Sequence, residues 1–451
     1  MTSEPGSGEP PAARVLAAWA SQLTTAAIPG TVQRTVRRHL LDALGCAVAG
    51  VRGGAADPAL TVARGLGGPP QATLWSRPAE RVGAPAAALG NAVAVHALDF
   101  DDTHAGGLVH MSAVTVPVAL AVGEQVGAGG DEMLAALTAG METVCRLGAA
   151  APHGFHARGL HATSVCGVVA AAVTAARLMA LDEDTTVHAI GIAASGAGGL
   201  LEFLHTAAST KQLHPGLAVH SGILAARLAA AGATGPESAL DGDYGLFAAL
   251  AARRPDREAL VAGLGLRWEC ARVTIKPYPA CQLSHASLDA ARALAGRAGE
   301  VASIVADVHP DTAPIVCGPG KASPRSPYEA KFSLPWSVAT MVLDGEVGVS
   351  TFDGYARSDV AALAGRITHR VSPGDGVAAD QPGRLTVAFH NGRTEVVEVE
   401  RSGGGPDDPA IDEVVLAKAR TNLGESVGEL AAAIASGATA AELASILPRM
   451  L

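Results

Sequence analysis

The chain has 451 residues, of which 49% are hydrophobic, so it is long enough for two domains of about 100–200 residues each. Its formal net charge of −10 argues against a broad phosphate-binding surface, and no nucleic-acid partner is expected. A run of about 18 uncharged apolar residues, as a membrane span requires, is absent from the sequence. Six scattered cysteines without a CxxC pair are typical of a reduced, cytoplasmic protein.

The first part of the chain predicts a tail followed by many helices. Residues 1–11 are rich in Pro, Gly, Ser and Glu, which predicts a disordered tail. From about residue 12 to residue 250, apolar side chains recur at helical spacing. The clearest helical segments are 31–51, 131–150, 163–181 and 216–232. Several of these are apolar nearly all round, which predicts closely packed helices in a large core.

Beyond about residue 268 the pattern changes to short β-branched runs, at 271–276 and 301–308. The segment 384–400 alternates apolar and polar residues on both sides of an Asn-Gly pair, which predicts a β-hairpin. Helical segments are predicted at 284–297 and 328–345, and a capping box, Thr439 with Glu442, opens a last helix.

These patterns predict a mainly α fold. Residues 12–267 and 405–451 form a large all-helical domain in this prediction, and residues 268–404 form a smaller α+β domain inserted near its C-terminal end.

The densest polar stretch is 96–110, HALDFDDTHAGGLVH. Its mixture of Asp and His suits either a metal site or a metal-free acid/base site, in which carboxylates orient imidazoles. Repeatable ligand spacings such as HExxH are absent from it, which favours the metal-free site. At least one of its aspartates is expected to cap a helix end, and Asp101 is the candidate.

Further polar residues stand at the ends of predicted elements. His161 directly precedes a long apolar helix, so its ring is expected at a helix N-terminus, whereas His153 and His156 are expected to face solvent. Only five of the 33 Lys and Arg residues are lysines. A lysine amine is a compact hydrogen-bond donor whose pKa can be lowered by burial, which suits a role in catalysis. Lys211 precedes a helix, where it can donate to a substrate carboxylate or deliver a proton. Nucleotide-binding and GxSxG motifs are absent from the sequence.

Several ordered motifs resemble those of the MmgE/PrpD family, which includes 2-methylcitrate dehydratase, cis-aconitate decarboxylase and iminodisuccinate epimerase. The motifs are LLDALGCAVAG at 40–50, HALDFDDTH at 96–104, His110, GLHATSVCG at 159–167, TKQLHPGLAVHSG at 210–222, IKPYPACQLSH at 275–285 and YEAKFSLPWSVA at 328–339.

The resemblance implies a homodimer with a site that needs no cofactor and no metal, between the helical domain and an α+β lid domain. Asp99, Thr103, His110, His161, Lys211 and Lys276 fall where the family places its site. We predict that the catalytic residues are Asp99, His110, His161 and Lys211, and that the substrate-binding residues are Asp102, Thr103, His104, Lys276, Cys281 and Tyr328. Two positions depart from the decarboxylases of the family. Cys281 stands where these carry a histidine, and Tyr328 is only a nearby substitute for their tyrosine.

The family reactions share the removal or delivery of a proton at a carbon next to a carboxylate. We expect Lys211 and Lys276 to hold substrate carboxylates, His110 and His161 to move protons on the two faces of the substrate, and Asp99 or Asp102 to orient an imidazole.

The first hypothesis is a lyase acting on a small di- or tricarboxylate, by dehydratase-like elimination or by decarboxylation. The second is an epimerase of a small dicarboxylate. A metal-dependent hydrolase that uses the 96–110 cluster, and a non-catalytic dimer that binds a metabolite, remain as lower alternatives.

Overall fold

The computed structural model describes residues 9–206, 208–372, 374 and 376–451. Residues 1–8 of the predicted tail lie outside this description. The fold is mainly α, as predicted, with its largest sheet near the C-terminal end. No helix in the described ranges combines the length and apolar character that crossing a bilayer requires.

Helices occupy most of the chain. The described α-helices are α1 (Ala12–Gln22), α2 (Gly30–Arg52), α3 (Asp57–Leu66), α4 (Ala84–His96), α5 (Met111–Val126), α6 (Gly130–Ala149), α7 (Gly154–Ala157), α8 (Ala162–Leu178), α9 (Glu183–Ser195), α10 (Phe203–Thr206), α11 (Thr210–Ala230), α12 (Arg257–Val261), α13 (His285–Arg292), α14 (Ala313–Val316), α15 (Pro327–Ala330), α16 (Leu334–Asp344), α17 (Ser358–Ala364), α18 (Ile411–Leu423), α19 (Val427–Ala435) and α20 (Ala440–Met450).

The strands are short by comparison. The described strands are β1 (Ala72–Leu74), β2 (Glu80–Val82), β3 (Asp102–His104), β4 (Val273–Ile275), β5 (Val301–Val308), β6 (Ile367–Val371), β7 (Gly383–Phe389) and β8 (Thr394–Val399). The predicted hairpin is present as β7 and β8, and the predicted capping box opens α20.

The centre of the helical part is α8, which packs against α5, α6, α9 and α11. Helices α4, α5 and α8 are buried on nearly all sides, which explains why their sequences are apolar all round. Alanine and glycine at the contacts let the helix axes approach closely, and the resulting hydrophobic cluster extends from α1 to α20.

The smaller part is built on a four-stranded sheet in the order β6-β5-β7-β8, with β5 and β6 parallel and the other pairs antiparallel. Helices α13 and α16 pack against it around the buried ring of Trp336, and together they enclose a second hydrophobic cluster.

A two-stranded ribbon joins the polar stretch 96–110 to the chain that leads into the second cluster. Strand β3 pairs antiparallel with β4, and Thr103 lies opposite Thr274. The β-branched run at 271–276 therefore pairs with the helical part and not with the four-stranded sheet.

The contact between α8 and α11 requires a glycine on α11. A methyl group added at Gly222 would lie 2.5 Å from Cβ of Ala171 and 2.6 Å from the carbonyl oxygen of Val168. We expect Gly222→Ala to lower the free energy of unfolding by about 1–3 kcal/mol in a denaturant titration, because the helices must move apart. As a control, Gly65→Ala adds its methyl group in open space on α3 and should change that free energy by less than about 1 kcal/mol. Equal effects of the two substitutions would contradict this packing.

Candidate active site

A buried carboxylate bound by two ammonium groups forms the centre of the site. Asp99 follows α4 and adopts a left-handed backbone conformation, with φ 52°, which Asp tolerates better than most residues. Its Oδ1 accepts hydrogen bonds from Lys211 Nζ at 2.6 Å and from Lys276 Nζ at 2.8 Å. Lys211 lies in the first turn of α11 and Lys276 directly follows β4. The three groups therefore connect three distant segments of the chain.

The environment keeps this centre ionised. Burial alone would raise the pKa of Asp99, but the charges of Lys211 and Lys276 lower it well below its usual value. Burial would lower the pKa of Lys276, and the Asp99 carboxylate instead raises it. With one carboxylate and two ammonium groups, the cluster carries a net positive charge. The second carboxylate oxygen, Oδ2 of Asp99, is buried without a protein partner.

His110 is held in a single tautomer at the start of α5. Its Nδ1 lies 2.5 Å from the carbonyl oxygen of Asp102, and a carbonyl can only accept, so Nδ1 carries the proton. Burial and the charges of Lys276 and Lys211 lower the pKa of His110 well below its usual value, which keeps the ring neutral. Nε2 of His110 therefore presents a lone pair and can act as a base.

His161 directly precedes α8, as the sequence predicts. Its backbone N–H donates to the carbonyl oxygen of Gly199 at 2.9 Å, and its Nδ1 lies 3.0 Å from Nδ1 of His214. Its Nε2 is buried without a protein partner. Burial and then the charge of Lys211 lower the pKa of His161 well below its usual value, so this ring is also neutral near pH 7.

These groups line one small cavity of about 60 Å³ between the helical part and the second cluster. Its polar lining comprises Asp99, Thr103, His110, His156, His161, Lys211, Lys276, Cys281 and Gln282. Its apolar lining comprises Leu108, Leu201, Phe203, Leu204, Leu283, Ile315 and Phe332. Seven of the ten predicted site residues thus line one small cavity.

The other three predicted residues lie outside this lining. The carboxylate of Asp102 pairs with His39 Nδ1 at 2.9 Å and accepts a hydrogen bond from Ser112, so only its backbone carbonyl reaches His110. His104 Nε2 lies 3.2 Å from Glu269 and lines a separate groove. Tyr328 packs on Phe332 behind the cavity wall, and its hydroxyl group is buried without a partner. A direct substrate contact by these three side chains therefore stays a prediction.

Asp101 corrects a sequence expectation. Its carboxylate does not cap a helix but accepts a hydrogen bond from His96 Nδ1 at 2.9 Å, and the ring of His96 lies 4.7 Å from that of His110. The pairing was not visible in the sequence because it depends on how the chain turns after α4.

Other residues of the site were also missed. His156 lines the cavity instead of facing solvent, and burial lowers its pKa to about 4. The sequence predicts that Lys211 precedes a helix beginning after Pro215, but α11 begins at Thr210 and includes Pro215. The prediction therefore missed that His214 lies on the same helix as Lys211. The apolar wall around Phe332 gave no signal in the sequence, because single apolar residues are indistinguishable from core residues.

Two groups of side chains could also reach a metal ion. One comprises His96, His110 and His161, and the other His96, Asp99 and Asp101, each with ligand atoms within 4.8 Å of one another. The two ammonium groups on Asp99 disfavour a further cation here, because like charges repel strongly in a buried site. The donor set therefore fits acid/base chemistry better than metal binding.

We expect Asp99→Asn to lower the free energy of unfolding by about 3–5 kcal/mol, because two buried ammonium groups lose the carboxylate that they share. A denaturant titration at pH 7 measures this loss. The control is Asp359→Asn, which removes the partner of Arg357 in an exposed ion pair. This substitution should lower the free energy of unfolding by less than about 1 kcal/mol.

The loss should also depend on pH. The folded pKa of Asp99 is depressed, so its stabilising contribution is complete above the unfolded pKa of about 3.9 and is lost as the pH falls towards the folded pKa. The difference between the unaltered protein and Asp99→Asn should therefore be constant between about pH 5 and pH 7 and shrink below about pH 4. A difference that grew on acidification would contradict an ionised Asp99.

The chain is similar in sequence to several cis-aconitate decarboxylases. The chain is 28% identical to cis-aconitate decarboxylase of Aspergillus terreus over 443 residues, which cover 91% of this chain and 89% of the relative. It is 30% identical to human cis-aconitate decarboxylase over 331 residues, which cover 71% of this chain and 68% of the relative. A cis-aconitate decarboxylase-like protein, oryM, of Aspergillus oryzae is 25% identical over 436 residues.

Two family models cover most of the chain. Residues 14–258 match the MmgE/PrpD N-terminal domain and residues 278–440 match the MmgE/PrpD C-terminal domain. The residues that line the cavity come from both matched segments and from Lys276, which follows β4 between them. The chain belongs to the MmgE/PrpD family.

Proposed function

We propose that the protein is a lyase that acts on a small di- or tricarboxylate without a cofactor, with decarboxylation of a cis-aconitate-like acid as the first candidate. The observation that carries this proposal is the buried cluster of Asp99 with Lys211 and Lys276, next to two neutral imidazoles in one cavity. The names of the relatives favour decarboxylation over dehydration, which the motifs alone had placed first.

The charge of the cavity supports an anionic substrate. The cluster around Asp99 is net positive, and the N-terminal ends of α5 and α8 add the positive ends of two helix dipoles. In a buried site these charges are weakly screened, so they attract carboxylates and stabilise enolate-like charge as it develops. Lys211 and Lys276 are the groups that would hold the substrate carboxylates.

The two imidazoles support proton transfer in both directions. His110 presents a lone pair at Nε2, because its Nδ1 proton is engaged by a backbone carbonyl. His161 has an unpartnered Nε2 on the same cavity. In a decarboxylation the bond to one carboxylate breaks, CO₂ leaves and the electron pair stays on the substrate, which then gains one proton. We assign that proton to His161.

Dehydration is a second candidate, because elimination of a β-hydroxyl group needs a base and an acid on one substrate, and His110 with His161 provides such a pair. Cys281 also supports dehydration as a candidate reaction, because this residue stands where the decarboxylases of the family carry a histidine. Burial raises the pKa of its thiol, so Cys281 contributes a neutral, compact wall there. An epimerase is the third candidate.

The size of the cavity implies movement. About 60 Å³ is well below the 300–1,000 Å³ typical of ligand pockets, so a tricarboxylate enters only when the walls part. The wall residues Ile315 and Phe332 belong to the smaller part and Leu201 and Leu204 to the helical part. We propose that separation of these two walls admits the substrate and that closure excludes water.

Proton NMR in deuterium oxide tests the reaction, with cis-aconitate, 2-methylcitrate, citrate, tartrates and iminodisuccinate as probes. We expect cis-aconitate to lose CO₂ and its product to carry one solvent deuteron. New vinylic signals without loss of CO₂ would instead indicate dehydration, and α-deuterium exchange without loss of mass would indicate epimerisation. If a folded protein changes none of these probes, the proposed function is refuted. If metal analysis finds a stoichiometric ion in the purified protein, the hypothesis of a metal-dependent hydrolase is favoured instead.

Lys211→Met should lower kcat/KM for the acid that is turned over by at least about 100-fold, because the developing charge loses a cationic donor. Steady-state kinetics measure this, and thermal unfolding checks that the variant is folded. Lys321→Met is the matched control, since Lys321 is buried but is not among the described residues that line the cavity. Equal losses in both variants would remove Lys211 from the proposed site.

We also propose a homodimer in the cytoplasm. The family resemblance supports the dimer, and light scattering that gave a monomer mass at micromolar concentration would contradict it. All six cysteines are free, which supports a reducing compartment.

A further inference from the structure

His161 and His214 lie in contact between two neighbouring spaces, whose linings share Phe203. Nδ1 of His161 lies 3.0 Å from Nδ1 of His214. His161 lines the small cavity, with its Nε2 buried and unpartnered, and is 2% exposed. His214 lines a second space, a groove of about 510 Å³ at the surface, whose wall includes the exposed side chains of Leu200 and Leu217. The two rings therefore bridge the cavity and the groove.

A hydrogen bond between two imidazole nitrogens requires one of them to carry a proton and the other to lack it. His161 is neutral near pH 7, because burial and Lys211 disfavour its charged form. A neutral imidazole that gives up its Nε2 proton becomes an anion unless its Nδ1 gains a proton at the same time. The group in hydrogen-bond contact with that Nδ1 is His214.

We propose that His161 and His214 form a two-imidazole proton relay, through which the small cavity exchanges protons with the outer groove. The inference deepens the proposed function and rests on it, because it takes His161 as the group that protonates the substrate. His214 does not line the cavity, among the residues described there, and is a positioning residue that acts through His161.

The relay balances in protons. His161 Nε2 gives its proton to the substrate carbon, His214 Nδ1 passes its proton to His161 Nδ1, and His214 Nε2 takes one proton from water in the groove. Each ring stays neutral, and one proton enters from the groove during this step. When the cavity opens to release product, His161 Nε2 takes a proton from water there. The shift then runs backwards and returns one proton to the groove, which restores both starting tautomers. Over the full cycle the water of the open cavity replaces the proton that the product gained.

The surroundings hold the pair in place. His214 and Lys211 share the first turns of α11, so the helix that carries the ammonium group also carries the second imidazole. The titratable groups that face the pair are Lys211 on α11, His96 on α4, His110 at the start of α5 and His156 on α7. Glu202 lines the groove.

The test compares two substitutions at His214, with cis-aconitate as the probe. His214→Asn keeps a polar group near the position of Nδ1 but does not relay protons, and it should lower kcat by about 100-fold while KM changes by less than about threefold. His214→Ala opens space beside the groove, and added imidazole should restore its kcat by at least about tenfold. The control is His220→Asn, a half-buried histidine on the same helix, which should retain kcat within about twofold.

Retention of kcat by His214→Asn, or failure of imidazole to rescue a folded His214→Ala, would overturn the relay. Nitrogen-15 NMR of the unaltered protein tests it without any substrate. We expect one ring of the pair to be protonated at Nδ1 and the other at Nε2, and two rings protonated only at Nε2 would overturn it. If no acid is turned over, the proposed function fails, and the tautomers still decide the relay.

Discussion

The ionised Asp99, bound by Lys211 and Lys276, is the interaction on which the rest of the site depends. The three residues come from the end of α4, the start of α11 and the turn after β4, so their side chains meet only when the helical core and the ribbon are both formed. Removing such charges from water is costly, and the cost is recovered only when the ion pairs are well formed. The cluster therefore couples the folding of these segments to the presence of a positive cavity.

The apolar helices around the cluster strengthen the electrostatic interactions of its charged groups. Helices α4, α5 and α8 bury nearly every side chain, so the cavity lies in a medium of low effective dielectric constant. Two of these helices begin directly after His110 and His161, which places both imidazoles at positive helix ends and keeps them neutral. A neutral imidazole has one nitrogen that can accept a proton and one that can donate a proton. An imidazolium in this cavity would be repelled by the two lysines.

Much of the fold could be predicted from the sequence, because periodicity and turn chemistry are local. The long apolar helices, the hairpin with its Asn-Gly turn and the position of His161 before a helix follow from such patterns. Partners that depend on tertiary contacts could not be predicted. Asp102 pairs with a histidine 63 residues earlier in the chain, and His161 pairs with a histidine 53 residues later. The two partner histidines, His39 and His214, lie next to or within the sequence motifs. The spacing of the residues along the chain does not show which side chains are in contact.

The ribbon of β3 and β4 has a consequence for changes in chain length. Thr103 and Lys276 reach one cavity because the register of the ribbon pairs Thr103 with Thr274. Side chains on a strand alternate between faces, so one inserted residue in either strand would turn every later side chain to the opposite face. The exposed tip between β7 and β8 would accommodate the same insertion without moving a cavity residue. The exposed turn between β7 and β8 can therefore vary in length, whereas the number of residues in β3 and β4 must stay constant.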